Sequence, residues 1–214
     1  MFREEKISSQ KMQRRQIWIY KIGKMEKIIE LIDEHFGMRD FMRSDLTGKT
    51  LKEFMLKITN GFANGNKLYI FGNGGSSADA QHIASEFVGR FEKKDRKPLP
   101  AMALTTGSSI LTSVSNDFSY DEIFSRQVRA YARKYDLLWG ISTSGNSKNV
   151  INALEVGKKI RTFNLSFTGR DGGKIKELSD LNFNVPYENT ARIQEMHELA
   201  YHIICKLIDD KYGK

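Results

Sequence analysis

Leu68-Tyr69-Ile70-Phe71-Gly72-Asn73-Gly74-Gly75-Ser76-Ser77 decides the fold. Four apolar residues in a row, closed by glycines, read as a short strand buried on both faces. The glycine-rich turn then leads into a helical stretch that carries His82 and Glu86. A strand feeding a helix through such a turn points backbone N–H groups and the positive end of the helix dipole at one spot, which favours an anion. His82 and Glu86, at i and i+4, share one face of that helix, within reach of whatever the anion is attached to.

Working outward, apolar residues at helical spacing predict helices over 26–36 and 51–63, the second with Phe54, Met55, Ile58 and Phe62 on one stripe. After them, β-type runs at 67–71, 101–104, 136–141, 162–167 and 181–185 alternate with helical stretches at 76–90, 107–115, 121–133, 147–159, 173–179 and 190–211. This alternation predicts an α/β domain whose parallel sheet is covered by helices on both faces. Ligands of such sheets sit beyond the carboxyl ends of the strands. The most loop-like polar clusters, 72–77 and 142–147, both follow strand ends.

The second cluster is Ser142-Thr143-Ser144-Gly145-Asn146-Ser147. Its hydroxyls, a glycine for close approach and Ser147 at a helix start make a nest of donors without a cationic side chain, suited to a phosphate monoester. Taken alone it also fits a serine-rich capping turn. Two such turns at equivalent strand ends favour a phosphorylated ligand. No Gly-Lys-Ser/Thr ending follows either turn, so nucleotide triphosphate hydrolysis is unsupported. Ser77 stands where a dinucleotide fingerprint has its third glycine. Asn116-Asp117, between the second strand and the helix at 121, offers hydrogen bonds to sugar hydroxyls or a simple turn.

Length and composition bound the rest. The 214 residues fit one domain, with 40% hydrophobic and 28% charged residues and no low-complexity linker. No apolar run reaches the roughly 20 residues of a membrane span. The single Cys205 sits in an apolar helical pattern and excludes an intrachain disulfide, which fits a reducing cytoplasm. Residues 1–24 hold seven Lys/Arg against two acids and so supply +5 of the net +8. They are expected to be a basic extension outside the native domain, which would span 25–214. A polyanion-binding arm is the alternative, but the body is too mildly basic to point to nucleic acid.

Three of the four histidines fall on two helices: His82, and His197 with His202. Along the last helix Ile193, Met196, Leu199, Ala200, Ile203, Ile204 and Leu207 predict a buried stripe. Gln194 and His202 differ by about 80° at roughly 100° per residue and share a side of that helix. With His82 and Glu86 they form a plausible set for zinc or another divalent ion, although glutamine is an uncommon ligand. A pair of hydrogen-bonded histidines in a helical core is the alternative. A metal there would polarise a carbonyl while a carboxylate removes the adjacent proton, the chemistry of an aldose–ketose isomerase. His197 points elsewhere and reads as structural.

Gly72-Asn73-Gly74-Gly75-Ser76, Asp79-Ala80-Gln81-His82, Asn116-Asp117-Phe118, Ile141 to Ser147 and Arg192-Ile193-Gln194-Glu195-Met196-His197 together closely resemble the phosphoheptose isomerases of the SIS (sugar isomerase) domain superfamily. The likeness covers roughly residues 26–212. It implies a single SIS domain with a five-stranded parallel sheet between helices, N-terminal helices and a long C-terminal helix. It also implies a cytoplasmic homotetramer with active sites at subunit interfaces. The implied reaction converts sedoheptulose 7-phosphate to D-glycero-D-manno-heptose 7-phosphate for bacterial surface polysaccharide.

Carried over by position, the resemblance implies metal ligands at His82, Glu86, Gln194 and His202. Substrate contacts fall on Asn73, Gly74, Gly75, Ser76, Glu86, Asn116, Asp117, Ser142, Thr143, Ser144, Ser147 and Gln194. Glu86 is then the base and His202 the acid. A replication-initiator-associating paralogue of the same fold acts by protein contact and lacks the glutamate and the later histidine. A sugar-phosphate-binding regulator would likewise lack proton-transfer groups. Glu86 and His202 favour the enzyme over both.

Overall fold

The computed structural model describes residues 23–213. Residues 1–22, most of the basic extension expected over 1–24, lie outside the described residues; Gly23 and Lys24 are helical. The chain divides into two compact units, Met1–Phe41 and Met42–Lys214. In the first, residues 23–37 are helical (α1) and Lys27 Nζ pairs with Glu30 Oε1 at 2.6 Å. Ile28, Ile29, Ile32 and Phe36 are exposed along it. The short helix α2, Arg39–Arg43, follows.

The larger unit begins with α3, Asp45–Ala63. Ser44 supplies its N-cap by accepting from the Thr47 N–H at 3.2 Å, so the helix starts six residues before the apolar stripe that predicted it. Then come β1 Leu68–Gly72, α4 Gly75–Val88, β2 Ala101–Ala103, α5 Ser108–Asp117, a 3₁₀ turn Tyr120–Glu122, α6 Ile123–Tyr131, β3 Leu137–Ser142, α7 Lys148–Ile160, β4 Phe163–Gly169, α8 Gly173–Leu178, β5 Leu181–Val185 and α9 Thr190–Tyr212. All five expected strands form, each displaced by no more than two residues at either end.

The strand order is β2-β1-β3-β4-β5 and every pairing is parallel. Gly72 lies opposite Ile141, so β1 and β3 end side by side. With this order the chain leaves β1 toward one edge and β3 toward the other, and the crevice between their ends is the ligand position of an open α/β sheet.

Alternation along the strands builds two cores. Tyr69, Phe71 and Leu138 face α5, α6, α7 and α8, meeting Phe124, Val128, Val150 and Leu154. On the opposite side Phe54 of α3 packs on Trp139 and Phe167, with Phe183 beyond, at centroid distances of 5.0 to 5.5 Å. Cutting Phe54 or Phe167 to alanine is expected to cost about 3–5 kcal/mol. Helices α3, α4 and α9 form this second layer.

One expectation for α9 needs correcting. Ile193, Met196, Ala200 and Ile204 are buried, but Leu199 and Leu207 are exposed. The buried face turns instead through His197, Tyr201, Cys205, Ile208 and Asp209. Two polar residues on it, His197 and Asp209, have found partners there, so hydrophobicity alone misplaced the centre of the stripe.

Candidate active site

The two polar turns meet at the β1/β3 crevice. Gly74 is the N-cap of α4 at φ 55°, a left-handed φ that glycine adopts freely, and no side chain caps the helix. A Cβ on Gly75 would collide with the Gln194 amide, so glycine at this position lets α9 lay Gln194 against the turn. Ser76 is buried in the first turn of α4.

Ser147 occupies the N-cap of α7, yet its hydroxyl does not cap that helix. It bonds the Ser142 hydroxyl at 2.9 Å, and Ser142 reaches Ser144 at 3.3 Å. Ser147 thus caps α7 by position but not by its side chain, and the first N–H groups of both α4 and α7 have no side-chain cap. Two such helix starts beside one crevice favour an anion. Ser142 is buried, while Thr143, Ser144 and Ser147 are half-buried.

Asn73 is fixed by residues that the sequence did not flag. It donates to Asn149 Oδ1 at 2.8 Å and accepts from Asn149 Nδ2 at 2.9 Å. The Tyr120 hydroxyl also donates to its Oδ1, at 2.9 Å. Asn116 and Asp117 lie at the end of α5 rather than in a loop, bonded to each other at the surface at 2.8 Å.

The ionisable groups assemble between α4 and α9. Nε2 of His82 lies 3.1 Å from Glu86 Oε1, and its Nδ1 lies 2.9 Å from the Tyr201 hydroxyl. The His202 ring stands 5.0 Å from the His82 ring, centroid to centroid. Glu198 joins this group: one ligand atom each from His82, Glu198 and His202 lie within 4.8 Å of one another. Gln194, Glu198 and His202 succeed each other at four-residue spacing, so each is turned only about 40° from the last. That spacing is the signal that could have found Glu198.

Charge and burial shape the surroundings. Burial, and then the Glu198 carboxylate, push Asp79 up to about 7, and its buried Oδ2 has no hydrogen-bond partner among the described residues. Burial also raises the Tyr201 phenol, helped by the charges of Asp79 and Glu198. His197 is fully buried against the Thr168 carbonyl at 2.9 Å and is pushed down to about 4 by that burial, as suits a structural histidine.

Behind Glu86 lies a second feature that the sequence did not flag. Arg96 Nε donates to Asp209 Oδ1 at 2.7 Å, and both side chains are buried. The same guanidinium donates to the carbonyls of Glu86 at 2.6 Å and Phe87 at 3.0 Å. Asp209 also accepts from the N–H groups of Glu92 and Lys93. The end of α4 that carries Glu86 is thus tied to α9, which carries His202.

Two imidazoles and a carboxylate converging in this way suit a divalent transition ion in ligand type and number. Among known proteins, the SIS domain family matches residues 46–169. A phosphoheptose isomerase of Helicobacter pylori is 50% identical over 189 residues, covering 87% of this chain and 98% of that protein. The chain belongs to the phosphoheptose isomerase family. Another member of the family, from Aliarcobacter butzleri, is 57% identical over 148 residues, 69% of this chain and 78% of its own. The solved phosphoheptose isomerase of Neisseria gonorrhoeae superposes with a TM-score of 0.81 at 39% identity, covering 87% of this chain and 98% of that one.

Proposed function

We propose that this family member interconverts sedoheptulose 7-phosphate and D-glycero-D-manno-heptose 7-phosphate by proton transfer through an enediol. The observation that carries the reading is that Glu86 and His202 stand against the same imidazole, His82. A proton donor and a proton acceptor are thereby held side by side on two helices.

The residues divide the work as follows. The uncapped starts of α4 and α7, with Asn73, Gly74, Gly75 and Ser76 on one side and Ser142, Thr143, Ser144 and Ser147 on the other, bind the phosphate. Asn116 and Asp117 address sugar hydroxyls. Gln194 closes on the Gly75 turn and orients the reacting end. Glu86 takes a proton from C1 while His202 gives one to O2, which turns the C2 ketone into an enediol. Return of a proton to C2 and loss of the O1 proton complete the aldose, so no atom is gained or lost.

His82, Gln194 and His202 with a carboxylate, Glu86 in the family pattern, are the residues that would hold a divalent ion, zinc by this reading. When bound, such an ion supplies Lewis-acid polarisation of the carbonyl. An imidazole has two nitrogens, so His202 can face a cation with one and keep an N–H on the other.

The same reading makes the protein a cytoplasmic homotetramer. Exposed apolar residues on α1 and at Leu199 and Leu207 are surfaces that a second copy would cover. No helix among the described residues is long and apolar enough to cross a membrane.

The test is NMR of sedoheptulose 7-phosphate incubated with the protein in deuterated water. Aldose carrying deuterium at C2 is the expected result. Absence of any aldose from folded, zinc-supplied protein would overturn the reading in favour of a partner-binding paralogue.

A further inference from the structure

At the amino ends of β3 and β4, opposite the catalytic crevice, two residues are held in a costly conformation. Tyr135 and Arg161 each stand two positions before a strand, in the left-handed region at φ 74° and 68°. Only one other non-glycine residue among the described residues has a positive φ. A bulky side chain is strained there and persists where its surroundings hold it, a pattern concentrated at ligand sites. Arg161 ends α7, where glycine is the ordinary choice. The Tyr135 N–H donates to the Arg161 carbonyl at 3.0 Å, which ties the two together.

Both line a cavity of about 270 Å³, together with Phe163 and with Lys57 and Asn60 of α3. Helix α3 comes this close because residue 61 is glycine: a Cβ there would sit 2.3 Å from Leu137 Cδ1. Lys57 Nζ is held 4.0 Å over the Phe163 ring. Neither Lys57 nor Arg161 has a carboxylate partner among the described residues. The buried acid beside them, Asp136, spends its oxygens on the Lys67 and Arg133 N–H groups, at 2.8 Å each. Glu53 and Asp180 line a separate, adjoining hollow. The cavity thus has two unneutralised cations, no acid in its lining, and an aromatic residue, Tyr135, that is 63% exposed.

We propose that this cavity binds a nucleoside monophosphate, with the phosphate between Lys57 and Arg161 and the base on the Tyr135 ring. A guanidinium beside an ammonium matches a phosphate dianion in charge and in donors. An exposed aromatic ring stacks with any base. The volume lies at the lower end for small-molecule sites and admits one nucleotide rather than two. Glycine would take both left-handed positions without strain, so the chain gives up stability to keep these two side chains. Being at the far end of the sheet, the site needs no displacement of sugar phosphate and does not rest on the isomerase reading.

The experiment is calorimetric titration of the full chain with adenosine 5′-monophosphate, and with adenosine as the probe lacking the phosphate. Wild type is compared with Arg161→Gly, Tyr135→Gly and Lys57→Gln. The expected Kd for the monophosphate is below about 1 mM, with adenosine at least about tenfold weaker. Each substitution should weaken the monophosphate by at least about tenfold. The two glycine variants should melt about 2–4 °C above wild type, so that lost binding is not lost fold. Lys57→Gln, on an exposed helix position, repeats the test without touching the strained backbone. No binding by wild type would overturn the proposal, as would binding that survives all three substitutions, which would put the nucleotide elsewhere on the protein.

Discussion

The Tyr201 hydroxyl lies 2.9 Å from His82 Nδ1, across the gap between the last helix and the helix of the glycine turn. Burial raises the phenol above its ordinary 10.0, so it remains protonated. It donates to Nδ1 while Nε2–H faces the Glu86 carboxylate, and accepts when Nδ1 carries the proton instead. The ring is therefore held in one orientation in either state. Replacing Tyr201 by Phe keeps the packing and removes that tie. We expect kcat/KM to fall by about 10–100-fold, read from initial rates, with the melting temperature within a few degrees of wild type.

Glu86→Gln keeps the size of the side chain and removes the carboxylate proposed above as the base. Turnover is expected to fall by about 10²–10⁴-fold, while a sugar phosphate still binds by calorimetry. Turnover within a few-fold of wild type would remove Glu86 from the mechanism.

Gly75→Ala places a methyl where the Gln194 amide now packs. The far end of that side chain must swing away from the turn, and with the role proposed for Gln194 the reacting end of the sugar would lose its alignment. We expect a loss of about 10–100-fold in kcat/KM with an unchanged circular dichroism spectrum.

Asp209→Asn breaks a buried ion pair and leaves the Arg96 charge uncompensated. A loss of about 3–5 kcal/mol is expected by urea unfolding at neutral pH. Burial alone would raise the Asp209 carboxyl, but the Lys93 and Glu92 N–H groups and Arg96 hold it below the ordinary 3.8. A carboxyl lower in the folded than in the unfolded chain stabilises above 3.8 and loses that contribution as pH falls toward its folded value. The gap between wild type and Asp209→Asn should therefore be full at pH 7 and shrink below 3.8. A gap that stays constant into acid would show that the lost stability is packing rather than charge.

Much of the architecture is legible because its signals are local. The run 68–71 with its glycine turn, and the repetition of strand and helix after it, place every strand within two residues at each end. His82 and Glu86, as well as Gln194 and His202, could be assigned to shared helix faces from spacing alone. The N-terminal boundaries were less visible: the cap at Ser44 lies outside the hydrophobic periodicity that marks α3.

What could not be read depends on contacts between distant segments. Arg96 and Asp209 are 113 residues apart, and neither carries a local signature of burial. Asn149 and Tyr120 look like ordinary helix and turn residues until the sheet brings Asn73 to them. Leu199 and Leu207 fit the apolar stripe of α9, yet they are exposed because the helix is rotated to bury His197 and Asp209 with their partners. Glu198 lies on the line between Gln194 and His202, but a glutamate on a helix surface is ordinarily solvated and carries no local signal of the histidines it meets.

The sequence by itself determined the order of elements, the parallel sheet and the two polar turns at the ends of β1 and β3, because glycine conformations and apolar periodicity act over a few residues. Only the tertiary structure decided that the Ser147 hydroxyl turns to Ser142 instead of capping α7, that Gln194 lies on Gly75, and that Glu198 meets His82 and His202. Those contacts depend on how α4, α7 and α9 are rotated on the sheet, a rotation fixed by packing and buried polar pairing over the whole domain.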